Sequence, residues 1–237
     1  MPVTEALTAL DAAQTTDDLR GIADNVVRRF GFGGFTYHLY RPGVGSLVYI
    51  GDWQPEWLQR YEDKGYIDID PVVEQLLRTV TPFLWTDTVL TREVNAPERV
   101  VLNEARAFSM KAGAEIPVHE PGLGCATFSL FSASEATFTE AWSQHRHNMH
   151  IFALYFHQRY VNLLEFDGTE QPPPLSKRER ECLAWTSRGK TAWEIGEILH
   201  ISERTVKVYL DTATRKLGSF SKHHAVVKAI LNRIILP

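Results

Sequence analysis

Cysteine is scarce in this 237-residue chain. Cys125 and Cys182 form no CxxC pair and no metal-type spacing. They cannot build a disulfide framework, so a reducing, cytoplasmic setting is expected. Long apolar runs are also lacking. None approaches the roughly 18–20 residues needed to span a bilayer, so no membrane partner is expected. The opening MPVTEALTALDAAQTTDD has neither the basic nor the apolar stretch of a secretory signal. Enzyme signatures are missing as well. There is no G-x-S-x-G elbow, no P-loop and no HExxH, and Gly31-Phe32-Gly33-Gly34 does not match G-x-G-x-x-G. His145, His147, His150 and His157 lie on or near one long helix with no cysteine partner. We therefore expect no catalytic residue, no cofactor and no metal. Internal repeats and low-complexity tracts are absent too.

What is there is a charge asymmetry. The chain holds 25 Lys+Arg and 29 Asp+Glu, a net of −4. That average conceals two halves, which divide at Gly168-Thr169-Glu170-Gln171-Pro172-Pro173-Pro174. Residues 175–237 carry a net +6 and residues 1–174 a net −10. Such a split points to a nucleic-acid-binding segment. Three prolines cannot continue a helix or a sheet, so 167–174 reads as a stiff linker between domains 1–166 and 175–237.

The acidic half mixes periods. Asp17–Arg29 carries a helical apolar stripe, broken by Gly31–Gly34. Phe35–Tyr40 and Leu47–Ile50 read as strands around the turn Arg41–Gly45. Glu56–Lys64, Pro71–Arg78 and Glu98–Lys111 read as helices, and Pro82–Trp85 as a short strand. Ala114–His119 and Leu123–Ala133 flank a hairpin signal, and Phe138–Leu164 is a long helix. The expected fold is α+β. An antiparallel sheet lies between helices in an α/β/α sandwich, and an all-α helix-turn-helix domain follows.

The basic half is the more explicit. Ser176-Lys177-Arg178-Glu179 and Thr191-Ala192-Trp193-Glu194 are capping boxes. Ser202 is an N-cap, and Ile201 and Val206 can staple across it. In the helix that follows, Val206, Tyr209, Leu210, Ala213 and Leu217 face inward. Arg204, Thr205, Lys207, Val208, Asp211, Thr212, Arg215 and Lys216 are left outward. Two short helices with a tight turn, the second basic and capped, form a helix-turn-helix. Arg204 and Lys207 are placed for bases or phosphates, and Lys190, Thr191 and Ser202 for phosphates near helix starts.

Several stretches here resemble the DNA-binding domain of LuxR-type transcriptional regulators: Leu175–Trp185, Gly189–Leu199, Ile201–Lys207 and Arg215–Gly218. Two positions depart from the family pattern. Tyr209 stands where His is usual, and Lys222-His223-His224-Ala225 replaces a typical Arg/Asn-x-Gln-Ala end. In the acidic half, Trp57, Tyr61, Asp70-Pro71, Trp85 and Gly113 resemble, in order and spacing, the ligand domain of LuxR-type acyl-homoserine-lactone receptors. The resemblance covers nearly the whole chain. It implies a quorum-sensing regulator whose partners are double-stranded DNA at an inverted-repeat promoter site, a small-molecule acyl-homoserine lactone and a second copy of the chain. RNA polymerase is a further candidate partner. A receptor for a non-lactone or host-derived signal, or a ligand-independent regulator, is the alternative.

The ligand chemistry fits these residues. An indole only donates, so Trp57 suits the ring carbonyl, and an ionised carboxylate only accepts, so Asp70 suits the amide N–H. Tyr61 or Ser129 would donate to the acyl carbonyl. Trp85 would lie against the lactone ring, with Gly113 leaving room. Thr127 shares a strand face with Ser129. Trp53 stands where the family often has Tyr, and Tyr49 and Thr36 would line the acyl end. The substitution at Trp53 points to a short, branched or otherwise unusual acyl group.

Overall fold

The computed structural model describes residues 3–40, 47–90, 98–120, 124–166, 174–231 and 234–236. The turn at 41–45, the tip of the hairpin at 121–123 and most of the expected linker lie outside these residues. The chain separates into two compact units. One holds 1–120 and 124–167, and the other holds 168–237 with 121–123.

The first unit opens with α1 (Val3–Ala12) and α2 (Thr16–Arg29). The second of these starts at a reciprocal cap, in which Thr15 accepts from the Asp18 amide and Asp18 accepts from the Thr15 amide. Strands β1 (Gly34–Tyr40) and β2 (Leu47–Gly51) follow, then α3 (Pro55–Asp63) and α4 (Pro71–Leu76). Next come β3 (Phe83–Leu84), α5 (Arg99–Ala105), β4 (Ala112–Glu120), β5 (Gly124–Ser132) and α6 (Glu135–Phe166). The five strands form one antiparallel sheet in the order β2-β1-β5-β4-β3. Helix α5 is shorter than the expected Glu98–Lys111. A 3-10 turn, Arg106–Phe108, ends it, and Ser109 sits in the left-handed region at φ 65°. A non-glycine residue rarely takes that conformation, so composition does not announce the stop. Helix α1 was not expected. It is short and buries only Ala6 and Leu10.

Successive side chains point to opposite faces of a strand, and this sheet uses its faces differently. Phe35, Tyr37, Leu39, Ala114, Ile116, Ala126, Phe128 and Leu130 are buried, and they alternate with the polar set described below. Phe128 meets Phe152 and Phe156 of α6 at ring separations of 5.8 and 5.3 Å, and Tyr37 meets Phe156 at 5.1 Å. The Tyr37 hydroxyl is 2.7 Å from Nδ1 of His157, which places that histidine in the core. On the other side a second cluster gathers Trp57, Tyr66, Val72, Phe83, Trp85, Val101, Ala105, Met110 and Phe131. Helical layers on both faces make the α/β/α sandwich.

The regular elements among the described residues of the second unit are helices: α7 (Lys177–Ser187), α8 (Ala192–Leu199), α9 (Glu203–Lys216) and α10 (Lys222–Leu231). Both capping boxes form, and Ser202 accepts from the Thr205 amide at 3.1 Å. The chain turns from α8 into α9 at His200, φ 55°. A Cβ at Gly196 would lie 2.7 Å from the Ile201 carbonyl oxygen, so the tightness of this turn requires glycine there. Val206, Leu210, Ala213 and Leu217 enter a core with Cys182, Leu183 and Ile195, and Tyr209 packs at its edge.

Candidate signal site and nucleic-acid interface

The sheet face opposite α6 carries Thr36 and His38 on β1, Thr127 and Ser129 on β5, and Gly113 and Glu115 on β4. Register aligns them: Thr36 pairs with Ser129, Ser129 with Glu115, His38 with Thr127, and Gly113 with Phe131. Above this face lie α3, which supplies Trp57 and Tyr61, and the start of α4, which supplies Asp70. Trp53 precedes α3. Its ring centroid is 4.6 Å from His38, 5.7 Å from Tyr61 and 6.3 Å from Trp57. The rings of Trp57 and Tyr61 are 5.8 Å apart.

Asp70 does two things at once. Its Oδ1 accepts from the Val72 amide at 2.8 Å, capping α4, and Pro71 opens that helix. Its Oδ2 accepts from the Tyr61 hydroxyl at 2.8 Å. Burial raises the Asp70 carboxyl above its usual range, against the pull of both hydrogen bonds. Burial, then the Asp70 charge, likewise raise the Tyr61 phenol. Trp85 lies flat on Gly113, where a Cβ would come within 2.4 Å of its ring. That position tolerates no side chain unless the indole moves.

The sequence did not single out Glu115, which is 5% exposed and sits at the centre of this face. Its Oε1 accepts from Nε1 of Trp85 at 2.8 Å. Its Oε2 accepts from Ser129 at 2.7 Å and from the Thr127 hydroxyl. Burial pushes its carboxyl up to about 7, three hydrogen bonds pull it down, and the nearby Asp70 charge raises it further. Period two, run from Gly113 and compared with Ser129 across the hairpin, is the signal that locates it.

Four buried polar atoms here have no hydrogen-bond partner among the described residues: Trp57 Nε1, Trp53 Nε1, Thr36 Oγ1 and His38 Nε2. Burial pushes the His38 imidazole down to about 4. Unpaired buried polar atoms are uncommon and costly, so four within one side-chain cluster call for an explanation.

Three expectations for this site change. The Tyr61 hydroxyl is spent on Asp70, and the Ser129 and Thr127 hydroxyls are spent on Glu115. A hydroxyl has one proton, so none of the three is available to an acyl carbonyl as placed. Tyr49 is drawn into the loop instead. Its hydroxyl accepts from the Trp53 amide and donates to the Trp53 carbonyl at 3.2 Å.

In the second unit, Arg204, Lys207, Val208 and Arg215 are exposed on α9, and Thr205 and Thr212 are half-exposed. Lys207 pairs with Glu203 at 2.6 Å and Lys190 with Glu194 at 3.0 Å. Such surface pairs are worth little and exchange readily for a phosphate. Thr191 and Ser202 are caps with exposed positions. Lys216 is a correction. Its ammonium reaches Glu179 at 3.0 Å and the Pro174 carbonyl at 3.2 Å, tying α9 to the start of α7 rather than facing outward.

Comparison with known proteins decides the family. Residues 15–160 match the autoinducer binding domain, and residues 173–229 match bacterial regulatory proteins of the luxR family. The chain belongs to the LuxR family. Its members here include the transcriptional activator BjaR1 of Bradyrhizobium diazoefficiens, 36% identical over 81% of this chain and 77% of that protein. The transcriptional activator VanR of Vibrio anguillarum is 31% identical over 93% and 92%. Escherichia coli SdiA shares the fold at TM-score 0.77 and 18% identity, over 99% of this chain and 98% of that one. As a LuxR-family member, the protein is a transcriptional regulator that couples autoinducer binding to a DNA-binding helix-turn-helix. Among the described residues no helix is long and apolar enough to cross a membrane, and no cluster of three metal-ligating side chains occurs.

Proposed function

We propose that the first unit binds an N-acyl-homoserine lactone on the polar face of its sheet, and that binding controls a homodimer on an inverted-repeat DNA site. The carrying observation is the four unpartnered polar atoms. Trp57 Nε1 donates to the ring carbonyl and Trp53 Nε1 to the acyl carbonyl, filling the part assigned earlier to Tyr61 or Ser129. Asp70, held by Tyr61, accepts the amide N–H. Trp85 and Gly113 form the wall beside the ring, and Thr36 and His38 border the acyl end. Each ligand acceptor then meets a donor that lacks one inside the protein.

Helix α9 enters the major groove with Arg204, Thr205, Lys207, Val208, Thr212 and Arg215. Lys190, Thr191 and Ser202 face phosphates near the starts of α8 and α9. Exposed Ile151, Leu154 and Tyr155 make one apolar stripe on α6, at helical spacing. Two copies would bury it, and a two-fold protein reads a two-fold operator.

Mass spectrometry tests the central part. The full-length protein is expressed with and without candidate lactones, purified and extracted. Recovery of one lactone per chain supports the reading. Soluble, DNA-binding protein that carries nothing in every case overturns it.

A further inference from the structure

Among the described residues, Glu115 is a charged side chain buried on the signal face that the lactone reading leaves without a role. A hydrophobic residue there would pack without partners. The protein instead surrounds a carboxylate with three donors: the Trp85 indole, the Ser129 hydroxyl and the Thr127 hydroxyl. Each hydroxyl has given away its proton. What both oxygens still offer to a neighbour is lone pairs, and the ionised form of Glu115 offers the same. The β4–β5 part of the face is therefore an acceptor-only wall. The unpartnered indole N–H groups belong instead to Trp57 on α3 and to Trp53 just before it. Donors and acceptors are segregated across the site.

We propose that Glu115 selects the signal: by turning the β5 hydroxyls away from the ligand, it makes the domain reject acyl chains with a keto oxygen beside the amide and accept chains that carry a hydroxyl there or nothing. The proposal rests on the lactone reading above. Helix α4, which Asp70 caps, packs against β4, which carries Glu115, so a chain whose amide N–H bonds Asp70 passes its first carbons across this wall. A keto oxygen there meets only lone pairs, loses its water and gains no donor. A hydroxyl there donates to the wall. The discrimination comes from an unfavourable contact built against the wrong ligand, a general route to specificity.

The test uses three probes: N-hexanoyl-homoserine lactone and its 3-oxo and 3-hydroxy derivatives. The readout is the concentration of each that half-maximally protects the full-length protein from thermal unfolding in lysate. The 3-oxo compound should require at least about tenfold more than the unsubstituted one, equivalent to about 1.4 kcal/mol. The 3-hydroxy compound should require no more than the unsubstituted one. Glu115→Gln should shrink the keto penalty at least about fivefold, because its amide N–H donates to a β5 hydroxyl and frees that proton for the ligand. The wild-type ranking decides the matter even if the variant fails to accumulate. Equal or better protection by the 3-oxo compound overturns the proposal and leaves the lactone reading standing. No protection by any of the three overturns both.

Discussion

The two faces of the five-stranded sheet are made from the same strands, residue by residue in alternation, and they are built to opposite rules. Toward α6, Phe35, Tyr37, Phe128 and Leu130 bury rings and aliphatic groups in close contact. On the reverse, Thr36, His38, Thr127, Ser129 and Glu115 bury polar atoms, and two of those atoms have no partner. The α6 face resembles an ordinary core and supplies stability. The other gives up stability, as the proposed recognition role would require, since each unpaired buried polar group costs about 1–3 kcal/mol. A single strand serves both ends because its side-chain period is two.

The largest loss of stability is expected on the α6 face. Phe128→Ala removes a fully buried ring and should cost about 3–5 kcal/mol, seen as a lowered urea midpoint of the full chain with or without lactone. If the loss vanished on adding ligand, the α6 face would belong to the site. On the polar face, Trp57→Phe loses part of a buried ring but no hydrogen bond within the protein, so it should lower the midpoint without lactone by less than Phe128→Ala does. It should weaken the lactone response at least about tenfold, or about 1.4 kcal/mol. Asp70→Asn should weaken the response similarly in a promoter assay, with operator affinity of the full chain measured beside it.

Acidity sharpens the contrast further. The Glu115 pKa is raised to about 7, so its contribution to stability is present at low pH and lost as pH rises through 7. The His38 pKa is depressed to about 4, so its contribution is present above the usual histidine range and lost as pH falls toward 4. The two slopes oppose each other between these limits, and wild-type unfolding should vary little across them. Glu115→Gln removes one slope, and stability should then climb with pH from 4 to 6.5. A variant as flat as wild type would show that neither group titrates as placed. The smallest effect lies in the other unit. Lys207→Ala, if the lysine meets a phosphate, should weaken binding on every DNA sequence and reduce the salt slope by about one. A loss confined to one operator position would make Lys207 a base reader.

Local chemistry was legible in the sequence wherever it acts over short range. The caps at Ser176, Thr191 and Ser202 and the inward stripe of α9 depend on residues three or four apart, and the structure places them accordingly. The ordered set Trp57, Tyr61, Asp70, Trp85 and Gly113 also clusters on one side of the sheet. What stayed hidden depends on partners distant in sequence. Ser129 reads as a free donor until register puts Glu115 opposite it, 14 residues away. Lys216 reads as an outward cation until the fold brings Glu179 to it across 37 residues. Helix α5 stops at a left-handed serine that no composition rule anticipates.

On the proposed function, the signal binds the polar face of the sheet. The most direct test is the stability gained on adding N-hexanoyl-homoserine lactone, at about 100 times its dissociation constant, to wild type and to Trp57→Phe. Mass action predicts a gain of about 2.7 kcal/mol for wild type. Trp57→Phe should show about half that gain or less at the same concentration, as a tenfold weaker affinity dictates. An equal gain in the two proteins would contradict it.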